Sequence, residues 1–177
     1  MQLKTTRLVL RPIIQKDFIA VHAYASDAES VLYTGFGPNT EENTRQFINE
    51  CNEREAASPR LAYDFAIIES ESGLLIGDCG IFKDSHRNEG GLGIILHKNY
   101  WRKGYGTEVT HELLRFGFEE LKLHRIFGNC DSRNSASIDV FKKLNMRQEG
   151  YFVKRRIRQD GWCDEVQFAL LDEEWHG

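Results

Sequence analysis

The run Trp101-Arg102-Lys103-Gly104-Tyr105-Gly106-Thr107 holds the residue types from which a phosphate-binding turn is made. It follows the apolar stretch Ile94-Ile95-Leu96. It leads into a segment with Val109, Leu113, Phe116 and Leu121 near one helical stripe. Strand, basic turn and helix start in that order gather unpaired backbone N–H groups, two cationic side chains and the positive end of a helix dipole. Gly104 and Gly106 let a ligand reach the backbone with no Cβ in the way. The competing reading is a tight strand-to-helix turn whose cations are simply solvated. Upstream, Gly90 and Gly91 read as a flexible loop, whereas Gly93 sits inside apolar sequence and suggests a bulge or a close approach of ligand backbone.

Other chemistries fail on residue order. A Walker-type loop needs Lys after its second glycine, but Lys103 precedes Gly104, and no G-x-G-x-x-G occurs. His111-Glu112-Leu113-Leu114-Arg115 starts like a zinc-protease helix but has Arg where the second His must stand, so no metal site is expected. Cys51, Cys79, Cys130 and Cys163 are too widely spaced for a zinc site or a disulfide framework and read as reduced thiols.

The elements that must hold this turn are legible from periodicity and punctuation. Arg7 to Arg11 reads as a strand stopped by Pro12. Asp17 heads a helix through Phe18, Val21 and Ala25, and Thr40 caps another with Glu41 and Glu42 in its first turn. Leu61 to Glu69 and Leu74 to Phe82 read as a hairpin across Ser70-Glu71-Ser72-Gly73. Lys83 to Gly91 reads as polar loop at its start, and Leu92 to His97 as a strand. Thr107 to about Leu121 is a helix, Arg125 to Cys130 a strand, and Asn134 to Leu144 a helix ended by Asn145 in place of Gly. Tyr151 to Arg158 and Cys163 to Leu171 close with a hairpin around Asp160-Gly161. The order β-α-α-β-β-β-α-β-α-β-β implies one α/β domain with a mixed sheet and helices on its faces.

The 177 residues suit a single domain, and 41% hydrophobic content supports a globular core. A net charge of −4 gives no case for general nucleic-acid binding. The N-terminus lacks an apolar signal region, and no apolar run reaches membrane-spanning length, so a soluble cytoplasmic protein with no membrane partner is expected.

Taken together, these segments resemble the GNAT superfamily of N-acetyltransferases. The family's cofactor loop reads [QR]-x-x-G-x-[GA] between a strand and a helix. Trp101 to Gly106 fits it, except that Trp101 replaces Gln or Arg. The Trp and the following Lys-Gly-Tyr-Gly-Thr-Glu are similar to the branch of ribosomal-protein alanine N-acetyltransferases and spermidine acetyltransferases, in most of which Gly stands where Arg102 is. Asn134 with Ser137, then Val140, Lys143 and Leu144, resembles the family's N-x-x-S-x-x-[VL]-x-x-K-L-G-F segment. Thr6 to Pro12, Glu149-Gly150, Asp164 and Leu170-Leu171 keep the expected order, so the likeness spans nearly the whole chain.

The resemblance implies a mostly antiparallel α/β (α+β) sheet of about seven strands with about four helices, and transfer of acetyl from acetyl-CoA to a primary amine. That amine is a protein N-terminus, such as a ribosomal protein's, or a small amine; a homodimer is compatible. The backbone of Ile94 and Leu96 would pair with the pantetheine arm. Arg102, Lys103, Gly104, Tyr105, Gly106 and Thr107 would hold the diphosphate, and Asn134 would bond the cofactor where the sheet splays. Tyr33, Phe36 and Trp162 fall where the family builds its acceptor cleft, though all three could equally be packing aromatics.

Acetyl transfer needs a base for the ammonium and an acid for the departing thiolate. Many family members supply the acid as a Tyr seven residues after the helix-starting Asn; here Phe141 stands there. Ser137 is the alternative acid, set against a hydroxyl bonded back to its own helix. For the base, the family pattern E-[IL]-G aligns on Gly91. Glu89 lies two residues earlier on the same strand face, or is a solvated loop carboxylate. Asp78 and Asp64 remain open as strand carboxylates, and His97 and His111 read as surface residues. No cysteine has a nucleophile's context, so direct transfer in a ternary complex is expected. The departures at Phe141 and Gly91 leave room for a non-catalytic CoA-binding sensor or scaffold.

Overall fold

The computed structural model describes residues 1–84, 86–158 and 160–177. Its strands are β1 (Leu3–Lys4), β2 (Leu8–Pro12), β3 (Ala62–Glu69), β4 (Leu75–Asp84), β5 (Glu89–Leu96), β6 (Arg125–Asp131), β7 (Arg147–Arg158) and β8 (Gly161–Leu171). They form one sheet in the order β1-β2-β3-β4-β5-β6-β8-β7, antiparallel throughout except for the parallel pair β5–β6. The helices are α1 (Phe18–Ala25), α2 (Glu41–Ala56), α3 (Tyr105–Arg115) and α4 (Ser135–Lys143).

The helices divide between the two faces of the sheet. Val21 and Tyr24 of α1 and Ile48 and Cys51 of α2 bury against Ala66 and Ile95 on one face. Tyr105, Val109 and Leu113 of α3 and Phe141 of α4 bury against Phe65, Ile81, Ile126 and Phe168 on the other. Neither layer could bury its apolar stripe alone, and the sheet between them serves both. Helix starts follow local chemistry. Thr40 accepts from the Asn43 N–H while the Asn43 side chain accepts from the Thr40 N–H. Asn134 Oδ1 accepts from the Ser137 N–H at 3.1 Å. Asn145 takes φ 57°, the left-handed conformation expected after α4.

The mixed sheet and the four helices agree with the expected architecture, but the sheet has eight strands rather than about seven. The addition is β1, which pairs Leu3 with Leu10 and Lys4 with Val9. The expected loop from Lys83 is mostly strand: β4 runs to Asp84 and β5 begins at Glu89. Polar residues stay in register there because Glu89 pairs with Asp84 on one side and Arg125 on the other. Likewise β7 begins at Arg147 rather than Tyr151, and α3 begins at Tyr105 and passes into a π-helical turn over Phe116–Glu120. No described helix is long and apolar enough to cross a membrane.

Candidate active site

The sheet opens in its middle. β5 and β6 pair only from Glu89↔Arg125 to Leu92↔Gly128. Beyond Leu92, β5 keeps its antiparallel partner β4 as far as Gly77↔Leu96 but has no strand on its other edge. The His97 N–H donates to Ile76 O, so the odd-numbered residues of β5 turn their backbone groups toward β4. Ile94 and Leu96 therefore turn theirs into the gap. The Leu96 carbonyl accepts from Trp101 Nε1 at 2.8 Å, which ties the next turn to the strand end. This is what Trp101 does in place of the usual Gln or Arg. It leaves Ile94 and the Leu96 N–H as the free edge.

The turn after β5 is a nest of donors. Arg102 has φ 60° and Gly104 has φ 82°. These left-handed residues curl the chain so that successive N–H groups point inward. Within the described chain, the N–H groups from Arg102 to Thr107 have no acceptor, while the next, Glu108, already bonds Gly104 O at 3.1 Å. Unpaired donors at the start of α3 are what a diphosphate would satisfy. Arg7, outside the expected site, buttresses the turn. Its guanidinium donates to Lys103 O at 2.9 Å and to Glu108 at 2.7 Å, and stacks 4.4 Å over the Tyr105 ring. The Tyr105 hydroxyl donates to Glu69. Lys103 Nζ lies 5.0 Å from the Tyr100 ring centroid, and Arg102 is exposed.

The left-handed φ explains why Gly suits the Arg102 position: an L-residue there costs about 1–2 kcal/mol. Arg102→Gly is therefore expected to stabilise the fold by about 0.5–1 kcal/mol in urea titration, after glycine's own entropy cost. It should also weaken CoA binding about 3–10-fold through the lost cation.

The middle of α4 lies beside the nest: a Cβ built on Gly106 would sit 3.6 Å from Val140, the sixth residue of that helix. Asn134 caps α4 through Oδ1, which leaves its amide N–H₂ to donate elsewhere. The half-buried Ser137 makes no hydrogen bond through its hydroxyl among the described residues, so it is not bonded back to its helix. Phe141 is buried, with its ring 5.3 Å from that of Phe168 and against Gly128, where a Cβ would approach within 2.5 Å. A ring in that role is core packing, so the absence of a Tyr hydroxyl there does not argue against catalysis.

The other sheet face carries the remaining candidates. Glu89, Gly91, Gly93 and Ile95 alternate onto it from β5, and Asp78, Gly80 and Phe82 lie across from them on β4. Glu89 starts β5, four residues before the gap, roughly 13 Å along the strand. Its carboxylate accepts from Arg125 Nη1 at 3.1 Å, and Arg125 also bonds Glu149 at 2.6 Å. This is an ion-pair ladder at the far end of the sheet. Glu89→Gln is expected to leave kcat within about twofold and to cost at most about 1 kcal/mol of stability, read by steady-state rates and thermal unfolding.

Asp78 is placed differently. It pairs with Ile95 across the strands, its carboxylate accepts the Tyr24 hydroxyl, and its pKa is pushed up to about 7. Burial is the main cause, opposed by the Tyr24 hydrogen bond, with the charge of Asp64 adding to the rise. Asp64 itself is held by Arg54 at 2.8 Å.

Of the expected acceptor-site aromatics, Tyr33 is half-buried and Phe36 exposed, in the α1–α2 connection. Gly35 between them lies close to Arg156 and Arg158 of β7, so this loop meets the final hairpin. Trp162 is 62% exposed near the hairpin tip. It alternates with Val166 and Phe168, and so lies on the α3/α4 face of β8 rather than on the face of Asp78. His97 accepts the Asn99 N–H, and exposed His111 packs against Trp175. All four cysteines are free and buried, and burial raises the pKa of each thiol. No group of side chains that could hold a metal ion occurs among the described residues.

Residues 7–147 match the acetyltransferase (GNAT) domain family. The chain is 35% identical over 176 residues to the uncharacterized N-acetyltransferase YnaD of Bacillus subtilis (strain 168), covering 99% of this chain and 100% of that protein. A crystal structure of a GNAT-family acetyltransferase from Bacillus anthracis superposes with a TM-score of 0.86 at 35% identity, covering 98% and 100% of the two chains. The spermidine N-acetyltransferase of Vibrio cholerae, solved with CoA and spermine, shares the fold with a TM-score of 0.84 at 16% identity, over 96% of this chain and 98% of that one.

Proposed function

The chain belongs to the GNAT acetyltransferase family, and from that premise we propose that it moves acetyl from acetyl-CoA to a primary amine by direct transfer in a ternary complex. The observation that carries this reading is the pairing of an open β5 edge with an unsatisfied N–H nest at the start of α3. A chain that folded this way with nothing to bind would leave both sets of donors to solvent alone.

In this reading Ile94 and the Leu96 N–H bond the pantetheine arm. The nest from Arg102 to Thr107 binds the diphosphate, and the Asn134 amide donates to the cofactor in the gap. The bound thioester supplies an activated acetyl group. The neutral amine nitrogen would attack the carbonyl carbon; as the C–S bond breaks, the Ser137 hydroxyl would give its proton to the leaving sulfur and regain one from the nitrogen that becomes the amide. Thiols held protonated by burial support direct transfer over an acetyl-enzyme. The acceptor is a protein N-terminus, a ribosomal protein's among the candidates, or a small amine such as a polyamine. It enters from the side of Tyr33 and Phe36. A cytoplasmic location, in keeping with four free cysteines, and a homodimer belong to the same reading.

Thiol release from acetyl-CoA, followed across peptides of differing N-terminal residue, polyamines and aminoglycosides, tests the proposal. Turnover with at least one amine is expected, together with thermal stabilisation by CoA. Tight CoA binding without thiol release on any amine would instead indicate a sensor, and stabilisation by ATP alone would sink the CoA reading.

A further inference from the structure

The family position for a base holds Gly91, and Glu89 is committed to Arg125 at the far end of β5. The proton of the acceptor ammonium needs another destination. On the α1/α2 face, Gly80 and Gly93 sit opposite each other across β4 and β5. A Cβ on Gly80 would lie 2.9 Å from Tyr63 O, and one on Gly93 would lie 3.3 Å from the Phe82 ring. Both glycines make room for the half-exposed Phe82 ring, which would come within 3.2 Å of a Cβ on Gly80 as well. Asp78 stands two residues from Gly80 on the same face and across from Ile95. The gap where the acetyl group would lie begins at the opposite edge of Gly93, so the carboxylate is about two strand spacings, roughly 10 Å, from that edge. An amine entering between the Phe82 ring and Asp78 would lie between the two.

Resting on the acetyltransferase reading above, we propose that Asp78 is the general base, taking the ammonium proton directly or through one water, and that Tyr24 is its positioning residue. The N–H bond breaks, the proton goes to a carboxylate oxygen of Asp78, and the freed lone pair attacks the acetyl carbon. Every element packed on this site contributes to setting the base. Tyr24 comes from α1, Cys51 and Arg54 from α2, and Asp64 from β3; β5 presents Ile95 and glycine, with Glu89 at its far end bonded to Arg125. Arg54 is bonded to Asp64 and to Cys51, so Asp78 has the Tyr24 hydroxyl as its hydrogen-bond partner and no guanidinium of its own. A carboxyl that titrates near 7 is well matched to proton abstraction at neutral pH.

The test uses the whole protein with acetyl-CoA and the panel amine that turns over fastest. For the wild type, kcat/KM is expected to rise with pH through an inflection near 7. Asp78→Asn should lower kcat/KM about 100-fold at pH 7 and erase that inflection, while stabilisation by CoA is retained. Tyr24→Phe removes a hydrogen bond that favours the carboxylate. It should move the inflection to higher pH and regain the wild-type rate above it, which a merely structural role would not do. Carbon-13 NMR of the labelled Asp78 carboxyl should report the same titration without any acceptor. A wild-type enzyme slowed less than about threefold by Asp78→Asn, or an Asp78 carboxyl titrating below pH 5, overturns the proposal and leaves the transferase reading standing. A folded wild-type protein that binds CoA and acetylates nothing overturns both.

Discussion

Ser137→Ala is expected to lower kcat for acetyl transfer about 100-fold while the KM for acetyl-CoA stays within about twofold. The serine sits in the first turn of α4, half-buried, with a hydroxyl that bonds nothing among the described residues. Deleting a hydroxyl that has no protein partner leaves no orphaned group behind, so the fold should lose almost nothing. A group that donates a proton only as the C–S bond breaks contributes to the transition state and not to ground-state binding, which places the loss in kcat. Steady-state kinetics with a fixed amine and varied acetyl-CoA separate the two parameters. An unchanged kcat would mean that the thiolate leaves unassisted or that water protonates it. Ser137→Cys offers a second reading, because a thiol at this position keeps a transferable proton and should restore part of the rate.

Gly106→Asp should abolish cofactor binding, raising the Kd for CoA at least 100-fold, without harming the fold. The two effects have opposite signs and separate cleanly. Gly106 is the second residue of α3, after the cap Gly104 and Tyr105. A Cβ there meets Val140 at 3.6 Å, an ordinary contact. An acidic side chain in the first turn of a helix is favoured by about 0.3–1 kcal/mol, and replacing glycine by aspartate within a helix adds about 0.3 kcal/mol. Apo thermal stability is therefore expected to hold or rise. The same carboxylate would occupy the donors proposed for a diphosphate and repel its charge. Calorimetry with CoA, beside thermal unfolding of the apo protein, checks both halves. Binding that survived the substitution would move the diphosphate away from the nest.

The sequence was most readable where chemistry is local. Gly104 and Gly106 at a helix start, Thr40 and Asn134 as caps and Asn145 as a stop each depend on a few neighbouring residues, and each reads correctly from spacing. Strand ends were less readable. Whether Glu89 and Gly90 are loop or strand depends on Asp84 and Arg125, which are distant in sequence or belong to another strand. Arg7 was visible only as part of an opening motif. Its clamp on Lys103 and Glu108 joins residues about a hundred positions apart, and no local signal carries that. Trp101 was a departure from a motif until its indole was found on Leu96 O.

By itself the sequence determined the local features of the proposed cofactor end: a donor-rich turn, a helix dipole and a capped second helix are properties of short segments. Tertiary structure alone decided the open strand edge and the surroundings of the proposed base. The gap exists because β5 and β6 part after Leu92↔Gly128, and that divergence is a relation between strands. Asp78 differs from any other strand carboxylate because α1 sets a phenol on it and Asp64 lies near it. A carboxyl's pKa is set by what surrounds it in three dimensions, and at Asp78 those surroundings come from four separate elements of the chain.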